Sequence, residues 1–267
     1  MRSFMRVLMV LTGTGSLVLT FGFFTQATWA TSLWPWPDGR LTFIFVSSIA
    51  AAIAVPNLWI AASDEVWAIG PGALNLAVAH LAMAAFLFRL FRERGARALL
   101  MTGIALGIAG VLELLAFAWS RRQPIRDTRP TPAPVRYSFL LFFATLILTG
   151  SALVAKAPHI FPWPLKPETA VMIAWIFWGA SVYFMYGFVR PVWGNACGQL
   201  LGFLAYDLVL IYPYVAHFGK VKPEHRLSLQ VYTGVLVYSG LLAIYYLFIN
   251  PSTRFGGKRA PAARGVP

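Results

Sequence analysis

The stretch "SLWPWPDGRLTF", residues 32–43, has a close counterpart in "HIFPWPLKPETA", residues 159–170. Trp36 and Trp163 are 127 positions apart, and the threonine that follows each of them keeps the same spacing. Proline fixes φ and keeps the preceding residue out of the helical region, so each stretch predicts an extended corner between two helices. Tryptophan favours the headgroup level of a bilayer, which places both corners at a membrane interface.

The chain that carries these corners is too apolar for a soluble protein. Of its 267 residues, 58% are apolar and 12% are charged, whereas about 25% are charged in soluble domains. An apolar run of about 20 helical residues spans the hydrocarbon core of a bilayer. Eight such runs lie at 7–27, 41–62, 66–88, 99–119, 137–155, 169–189, 193–215 and 228–249. The sequence therefore predicts an all-α integral membrane protein with eight transmembrane helices.

Further matches between the two halves keep the order of the chain. "VWAIGPGAL" (66–74) matches "VWGNACGQL" (192–200) at an offset of 126, and "MTGIAL" (101–106) matches "YTGVLV" (232–237) at 131. Such small drifts are expected after a duplication followed by a few insertions. Each copy holds four helices, an even number, so both copies enter the membrane from the same side and form parallel repeats.

The predicted organisation has four parts. The first four-helix membrane repeat covers 1–119 and the second covers 137–249. A basic, Pro-rich linker at 120–136 joins them, and a basic tail at 250–267 follows. Linker and tail both lack apolar periodicity, and the composition of the tail predicts disorder.

The net charge of +13 comes from Lys and Arg residues in the loops. Lys and Arg lie between the apolar runs, where they face the anionic headgroups of the lipid bilayer, and we expect no nucleic-acid partner. Arg outnumbers Lys and Ala is abundant, which favours a bacterial plasma (inner) membrane. With the N-terminus in the cytoplasm, the inner side holds slightly more than half of the 22 Lys and Arg, so the positive-inside rule narrowly favours that orientation.

Three ionisable residues lie at membrane depth: His80, Asp207 and Glu113. Such residues are costly in a bilayer and are therefore candidates for an intramembrane polar site. His80 and Asp207 occupy nearly equivalent positions in the two repeats, about 20 Å from the same membrane face, and can meet at the seam. Counted from Trp119, Glu113 is about 10 Å shallower, so we expect no direct bond between Glu113 and His80.

Two interpretations of these polar residues stay open. A histidine beside a carboxylate is suited to carrying protons or gating a substrate, because histidine titrates near neutral pH. Alternatively, each group bonds a neighbouring helix and fixes the packing, with Tyr206, Asn75, Gln199 and Tyr238 as candidate partners.

The corners also allow two interpretations. Their residues, Trp36, Pro37, Trp163 and Pro164, either anchor and cap the next helix or stack against a ligand. Because the motif occurs once per repeat on the same face, a ligand role predicts two symmetric sites or one shared mouth.

Glycines and prolines predict further details of the packing. Glycines spaced four apart predict that the fourth and seventh helices are central in their own halves. Pro56 and "IGPGAL" (69–74) are candidates for broken helices. "SDE" (63–65) predicts a solvated turn.

No motif for a known chemistry is present. The chain lacks a P-loop, GxSxG, HExxH and paired CxxC motifs. Cys197 is the single cysteine, which excludes an internal disulfide. A haem held by two histidines needs a partner for His80 at equal depth, where Asp207 stands instead. We therefore expect no catalytic residue, no cofactor and no metal.

The segments "FPWPLKPETAVMIAW" and "WPWPDGRLTFIFV" resemble uncharacterised bacterial multi-pass membrane proteins with tandem PWP-containing helical repeats. In those proteins a "PWPLTPLTAR"-like segment opens a helix and recurs in tandem halves. The second copy here is the closer match, and both copies lack the arginine after the alanine. The resemblance implies a duplicated membrane architecture and carries no established activity.

The sequence leaves three classes of function. Small-molecule or proton-coupled transport through the seam between the repeats is favoured, because duplicated halves create a central cleft. A non-catalytic accessory or scaffold subunit of a membrane complex is the alternative, and homo-oligomers and membrane-complex partners both stay open. An enzyme acting on a lipid-soluble substrate is disfavoured by the missing motifs. A cavity at the seam favours transport, whereas a filled seam favours a scaffold.

Overall fold

The computed structural model describes residues 2–255 of the chain. Within them the fold is all-α, and eight helices are long and apolar enough to span a membrane, which confirms the predicted fold class. The helices are α1 (Arg2–Phe24), α2 (Thr28–Thr31), α3 (Arg40–Ser63), α4 (Ile69–Arg94), α5 (Arg97–Ser120), α6 (Ala133–Val154), α7 (Pro167–Val189), α8 (Trp193–His217) and α9 (Arg226–Ile244). All except the single turn α2 span the membrane.

Three short elements extend the spanning helices. A 3₁₀ turn, Val66–Ala68, precedes α4, another, Pro223–His225, precedes α9, and α9 continues as a π-helix over Tyr245–Ile249. Helix α3 continues through Pro56 without a break. Pro71 lies in the first turn of α4, where the missing N–H is tolerated. The candidate breaks in the second and third spans are therefore absent from the described chain.

The spanning helices form an inner and an outer set. The inner helices are α3, α4, α7 and α8, and the outer ones pack on them in the pairs α1 with α3, α5 with α4, α6 with α7 and α9 with α8. The outer helices expose large apolar side chains to the bilayer. On α5 these are Met101, Ile104, Ile108, Val111, Leu112, Leu114 and Leu115.

The fourth span, α5, packs mainly on α4 and is not central in its half, so that prediction is wrong. Its glycines do serve close packing, but against one neighbour. A Cβ at Gly103 would meet the ring of Phe88, and one at Gly110 would meet Leu81, both on α4. The exposed apolar side chains of α5 face lipid.

Each inner helix packs against an inner helix from the other half of the sequence. Helix α3 packs along α8, and α4 packs along α7, whereas α3 hardly touches α4 and α7 hardly touches α8. Glycines permit these approaches. A Cβ at Gly202 would lie 3.2 Å from the carbonyl oxygen of Ala52 on α3, and one at Gly179 would lie 2.5 Å from the carbonyl oxygen of Asn75 on α4.

The linker is fixed to the turn between α3 and α4. Glu65 in this turn is only 3% exposed, and its carboxylate accepts the backbone N–H groups of Arg126 and Asp127 at 2.9 and 3.0 Å. Burial raises the pKa of the Glu65 carboxyl above its ordinary value, and the two backbone N–H groups partly oppose this shift. The expectation that "SDE" is a solvated turn is therefore wrong for Glu65.

The linker is also bonded to the start of α8 and to the residues after α9. The Trp193 backbone N–H donates to the Arg129 carbonyl at 2.7 Å, and the Arg129 guanidinium donates to the Ser252 carbonyl at 2.8 Å. Thr253 is buried and donates to the Tyr246 carbonyl at 2.7 Å. Residues 250–255 thus pack on the fold, contrary to the expected disorder, and 256–267 lie outside the described residues.

Candidate functional site

A cavity of about 480 Å³ lies between the inner helices. It receives side chains from α1 and from every helix from α3 to α9, and most of these side chains are apolar. On α7 it extends from Met172 to Phe184, about 18 Å of helix at 1.5 Å per residue. Polar groups in its wall include Asn75, His80, Gln199, Tyr206 and Ser239.

His80 bonds to Glu113 at the contact between α4 and α5. Its Nδ1 lies 2.9 and 3.0 Å from the two carboxylate oxygens of Glu113. The side chains of His80 and Glu113 are 25% and 19% exposed. A carboxylate on one ring nitrogen orients the imidazole and leaves the other nitrogen for a different partner.

The expectation that Glu113 lies too shallow to reach His80 is wrong. The depths were counted from Trp67 and Trp119, which are not at the same level. Trp67 belongs to the 3₁₀ turn before α4, and the end of α5 packs against Gly70 instead. Counted from that contact, the depths of Glu113 and His80 differ by about three residues, or roughly 5 Å, which two side chains can span.

Asp207 bonds to the next helix rather than to His80. It is 5% exposed, and its Oδ1 accepts the Ser239 hydroxyl at 3.0 Å. Its Oδ2 is buried without a hydrogen-bond partner among the described residues. Within residues 2–255, no hydrogen bond joins His80 to Asp207. Thus α4 is joined to α5 by His80 and Glu113, whereas α8 is joined to α9 by Asp207 and Ser239.

Two of the four polar partners proposed from the sequence, Tyr238 and Gln199, bond elsewhere. The Tyr238 hydroxyl lies 2.6 Å from that of Ser138, and the Gln199 amide donates to the Tyr183 carbonyl. Ser239 was missed because serine is ordinary in a membrane helix. Its position one helix away from Asp207, mirroring Glu113 and His80, is the signal that could have identified it.

The two corners exchange hydrogen bonds. The Trp36 indole N–H donates to the Thr169 hydroxyl at 2.8 Å, and the Trp163 indole N–H donates to the Thr42 hydroxyl at 3.2 Å. Each corner is thereby tied to the first turn of the helix that follows the other corner. Both threonine hydroxyls donate to one carboxylate, that of Asp38.

The surroundings of the corners differ. A depression of about 420 Å³ lies at the first corner and is lined by Trp36, Pro37 and Asp38. The Pro37 carbonyl accepts a hydrogen bond from the Lys166 ammonium group. In the second corner Trp163 is 7% exposed, packed edge-on against Phe161 and Tyr214, and Pro164 is exposed. The corners therefore do not form two equivalent open sites.

The described residues contain no group of three or more His, Cys, Asp or Glu side chains that could hold a metal ion. Cys197 is buried in an apolar cluster with Trp193 and Leu200. No family model, no curated protein and no solved structure matches this chain. The structure alone therefore describes this protein, as an eight-span helical membrane protein with a cavity between its inner helices.

Proposed function

We propose that this membrane protein moves a small, mainly apolar molecule through the cavity between its halves and couples the movement to protons. One observation carries the proposal: His80, whose ring bonds to Glu113, stands in the wall of a cavity that helices of both halves line. Histidine changes charge near neutral pH and is a suitable proton carrier at membrane depth.

The cavity also bears on the choice between transport and scaffolding. A scaffold subunit needs a filled seam, whereas about 480 Å³ is within the range of small-molecule sites. Asp207 stays a candidate for the same site through Ser239, because Ser239 lines the cavity and bonds to Asp207. A scaffold or accessory role is the second candidate and predicts no cavity-dependent activity.

We infer further that the chain consists of two parallel four-helix repeats. The helix contacts support this, because each has a counterpart in the other half: α1–α3 with α6–α7, α4–α5 with α8–α9, and α3–α8 with α7–α4. The reciprocal Trp–Thr bonds of the corners support it as well. An axis along the membrane normal would relate such repeats.

We place the protein in a bacterial plasma membrane with its N-terminus in the cytoplasm. In this orientation the corners lie at the outer face. The cavity reaches that end of the bundle, since Leu33 and Trp34, just before the first corner, line it. The basic loops on both faces contact anionic headgroups.

The transport proposal is tested in liposomes that contain the purified protein and a trapped pH-sensitive dye. We add 4-hydroxybenzoate, benzoate, tyramine or indole outside, at equal pH on both sides, and follow the internal pH. At least one solute should change the internal pH faster than it does in protein-free liposomes. His80→Ala should reduce this rate to that of protein-free liposomes. His159→Ala, outside the spanning helices, is the matched control and should behave as the wild type.

Two results would contradict transport. In the first, every solute gives the rate of protein-free liposomes. In the second, the rate is above that of protein-free liposomes and equal in wild type and His80→Ala. Either result favours the scaffold role.

A further inference from the structure

We propose that the cavity binds an apolar aromatic molecule that carries a carbonyl oxygen, and that Nε2 of His80 donates the hydrogen bond that holds this oxygen. The inference rests on the proposed transport and deepens it, because it names the substrate class of the same cavity. It comes from the cavity wall and from the number of protons that the dyad can hold.

The cavity wall suits a flat aromatic ring. Several aromatic side chains line it, among them Trp34, Phe142, Phe177, Phe184 and Phe203. The rings of Phe184 and Phe203 are stacked, with centroids 4.5 Å apart and planes 8° apart. Aromatic ligands gain from offset stacking and edge contacts with such rings. A sugar or a free ion would find few polar groups to replace its water.

His80 lines this wall and has one ring nitrogen available. Its Nδ1 is occupied by the Glu113 carboxylate. Within residues 2–255, its Nε2 makes no hydrogen bond to the protein. A ligand in the cavity can therefore bond to Nε2 without breaking the dyad.

The charge of the dyad decides whether Nε2 donates or accepts. A net charge at membrane depth is costly, so the electroneutral forms are favoured. One form pairs an imidazolium with a carboxylate, and both ring nitrogens then carry hydrogen. The other pairs a neutral imidazole with a protonated carboxyl group, which donates to Nδ1 and leaves the ring hydrogen on Nε2. Because Nε2 carries hydrogen in both forms, the ligand must offer an acceptor, and a carbonyl oxygen does so without a charge.

The protonation of the dyad also couples binding of the ligand to binding of one proton. When the dyad releases a proton to water, Nδ1–H still donates to the carboxylate, Nε2 is left with a lone pair, and the dyad carries one negative charge. That lone pair repels a carbonyl oxygen. Ligand and proton therefore raise each other's affinity by the same factor.

The titratable groups around His80 leave this assignment intact. Of the helices packed on α4, α5 contributes Glu113, and α7 contributes the phenol of Tyr183 to the cavity. Across the cavity, α8 and α9 contribute the phenols of Tyr206 and Tyr232. Phenols titrate well above neutral pH. Asp207 is bonded to Ser239 at the contact between α8 and α9, and α4 carries its arginines in its last two turns, where Arg94 pairs with Glu168 of α7.

The experiment compares two probes of similar shape in detergent solution, where transport plays no part. 2-Acetylnaphthalene has the carbonyl oxygen and 2-ethylnaphthalene lacks it. Binding to the full-length protein is measured by equilibrium dialysis against protein-free micelles. We expect the ketone to bind the wild type about fivefold more tightly than the hydrocarbon at pH 6, the effect of one net hydrogen bond. The advantage should fall as the pH is raised to 9.

Two variants identify the donor. His80→Phe keeps an aromatic ring without an N–H group, so it should bind both probes equally. His80→Gln keeps an N–H donor that does not titrate, so the preference for the ketone should persist at every pH. The infrared carbonyl stretch of bound ketone should lie lower in the wild type than in His80→Phe, as expected for an accepted hydrogen bond.

Equal binding of the two probes by the wild type, or an unchanged preference in His80→Phe, would overturn the proposal. If His80→Phe does not fold, a pH-dependent preference in His80→Gln equal to that of the wild type overturns it instead. Binding that succeeds while the liposomes show no transport rejects the transport function alone.

Discussion

At the scale of single residues, the position of a buried charge is easier to predict than its partner. His80 and Glu113 are both conspicuous as ionisable residues in apolar runs. Their bond depends on the register of the α4–α5 hairpin, which is set by Gly95 in the turn, with φ 69°. Counting outward from Gly95 places His80 opposite Gly110, one helical turn from Glu113. The turn would have been a better reference than the interfacial tryptophans.

Glu65 provides a prediction at the same scale. Since its pKa is raised above the ordinary value of 4.5, the folded protein binds the proton more tightly than the unfolded one. The resulting stability is present below that ordinary value and is lost as the pH rises through the raised pKa. We therefore expect the melting temperature of the wild type to fall relative to that of Glu65→Gln as the pH is raised from 4 to 8.

The measurement is thermal unfolding in detergent, followed by tryptophan fluorescence. Glu224→Gln is the matched control, because Glu224 is exposed. Parallel pH profiles of wild type and Glu65→Gln would contradict the prediction.

At the scale of helices, hydropathy was enough to predict the number and approximate ends of the spans. It failed to predict which spans are central. Glycine spacing occurs both in α8, an inner helix, and in α5, an outer one. The spacing shows that a backbone approaches closely, but it does not show how many neighbours the helix has.

The approach of α8 to α3 can be tested at Gly202. A Cβ there would meet the Ala52 carbonyl oxygen at 3.2 Å, and main chain cannot move aside as a flexible side chain can. Gly202→Leu should therefore reduce the free energy of unfolding by about 2 kcal/mol. Gly234→Leu is the control, because a Cβ at Gly234 has no heavy atom within 4 Å. Equal stabilities of the two variants would disprove the close approach.

At the scale of the whole molecule, the pairing of helices across the chain could not be predicted from periodicity. Apolar periodicity identifies the buried face of a helix and leaves its neighbour undefined. The matched corners are the exception, because their sequence marks residues that meet across the halves. Trp36 and Trp163 bond across the halves to Thr169 and Thr42, and the common spacing of these four residues is visible in the sequence.

The crossed bonds predict coupled effects of two distant substitutions. Thr42→Val and Thr169→Val each remove the acceptor of an indole N–H and a donor to Asp38. Each should cost about 2 kcal/mol of unfolding free energy. Because both hydroxyls share the carboxylate of Asp38, the double variant should depart from the sum of the single ones. Thr25→Val, whose hydroxyl bonds only within its own helix turn, should change little, and strict additivity at the corners would contradict the shared network.

The packing of α3 on α8 and of α4 on α7 has a consequence for biosynthesis. When the ribosome has completed α5, α3 and α4 have their outer partners α1 and α5 but not their inner partners α8 and α7. At about 10 residues per second, the interval from the end of α5 to the end of α9 is on the order of 10 s. During that time the faces of α3 and α4 that later meet α8 and α7 have no partner, so we expect assembly to depend on how long the insertion machinery holds the early helices.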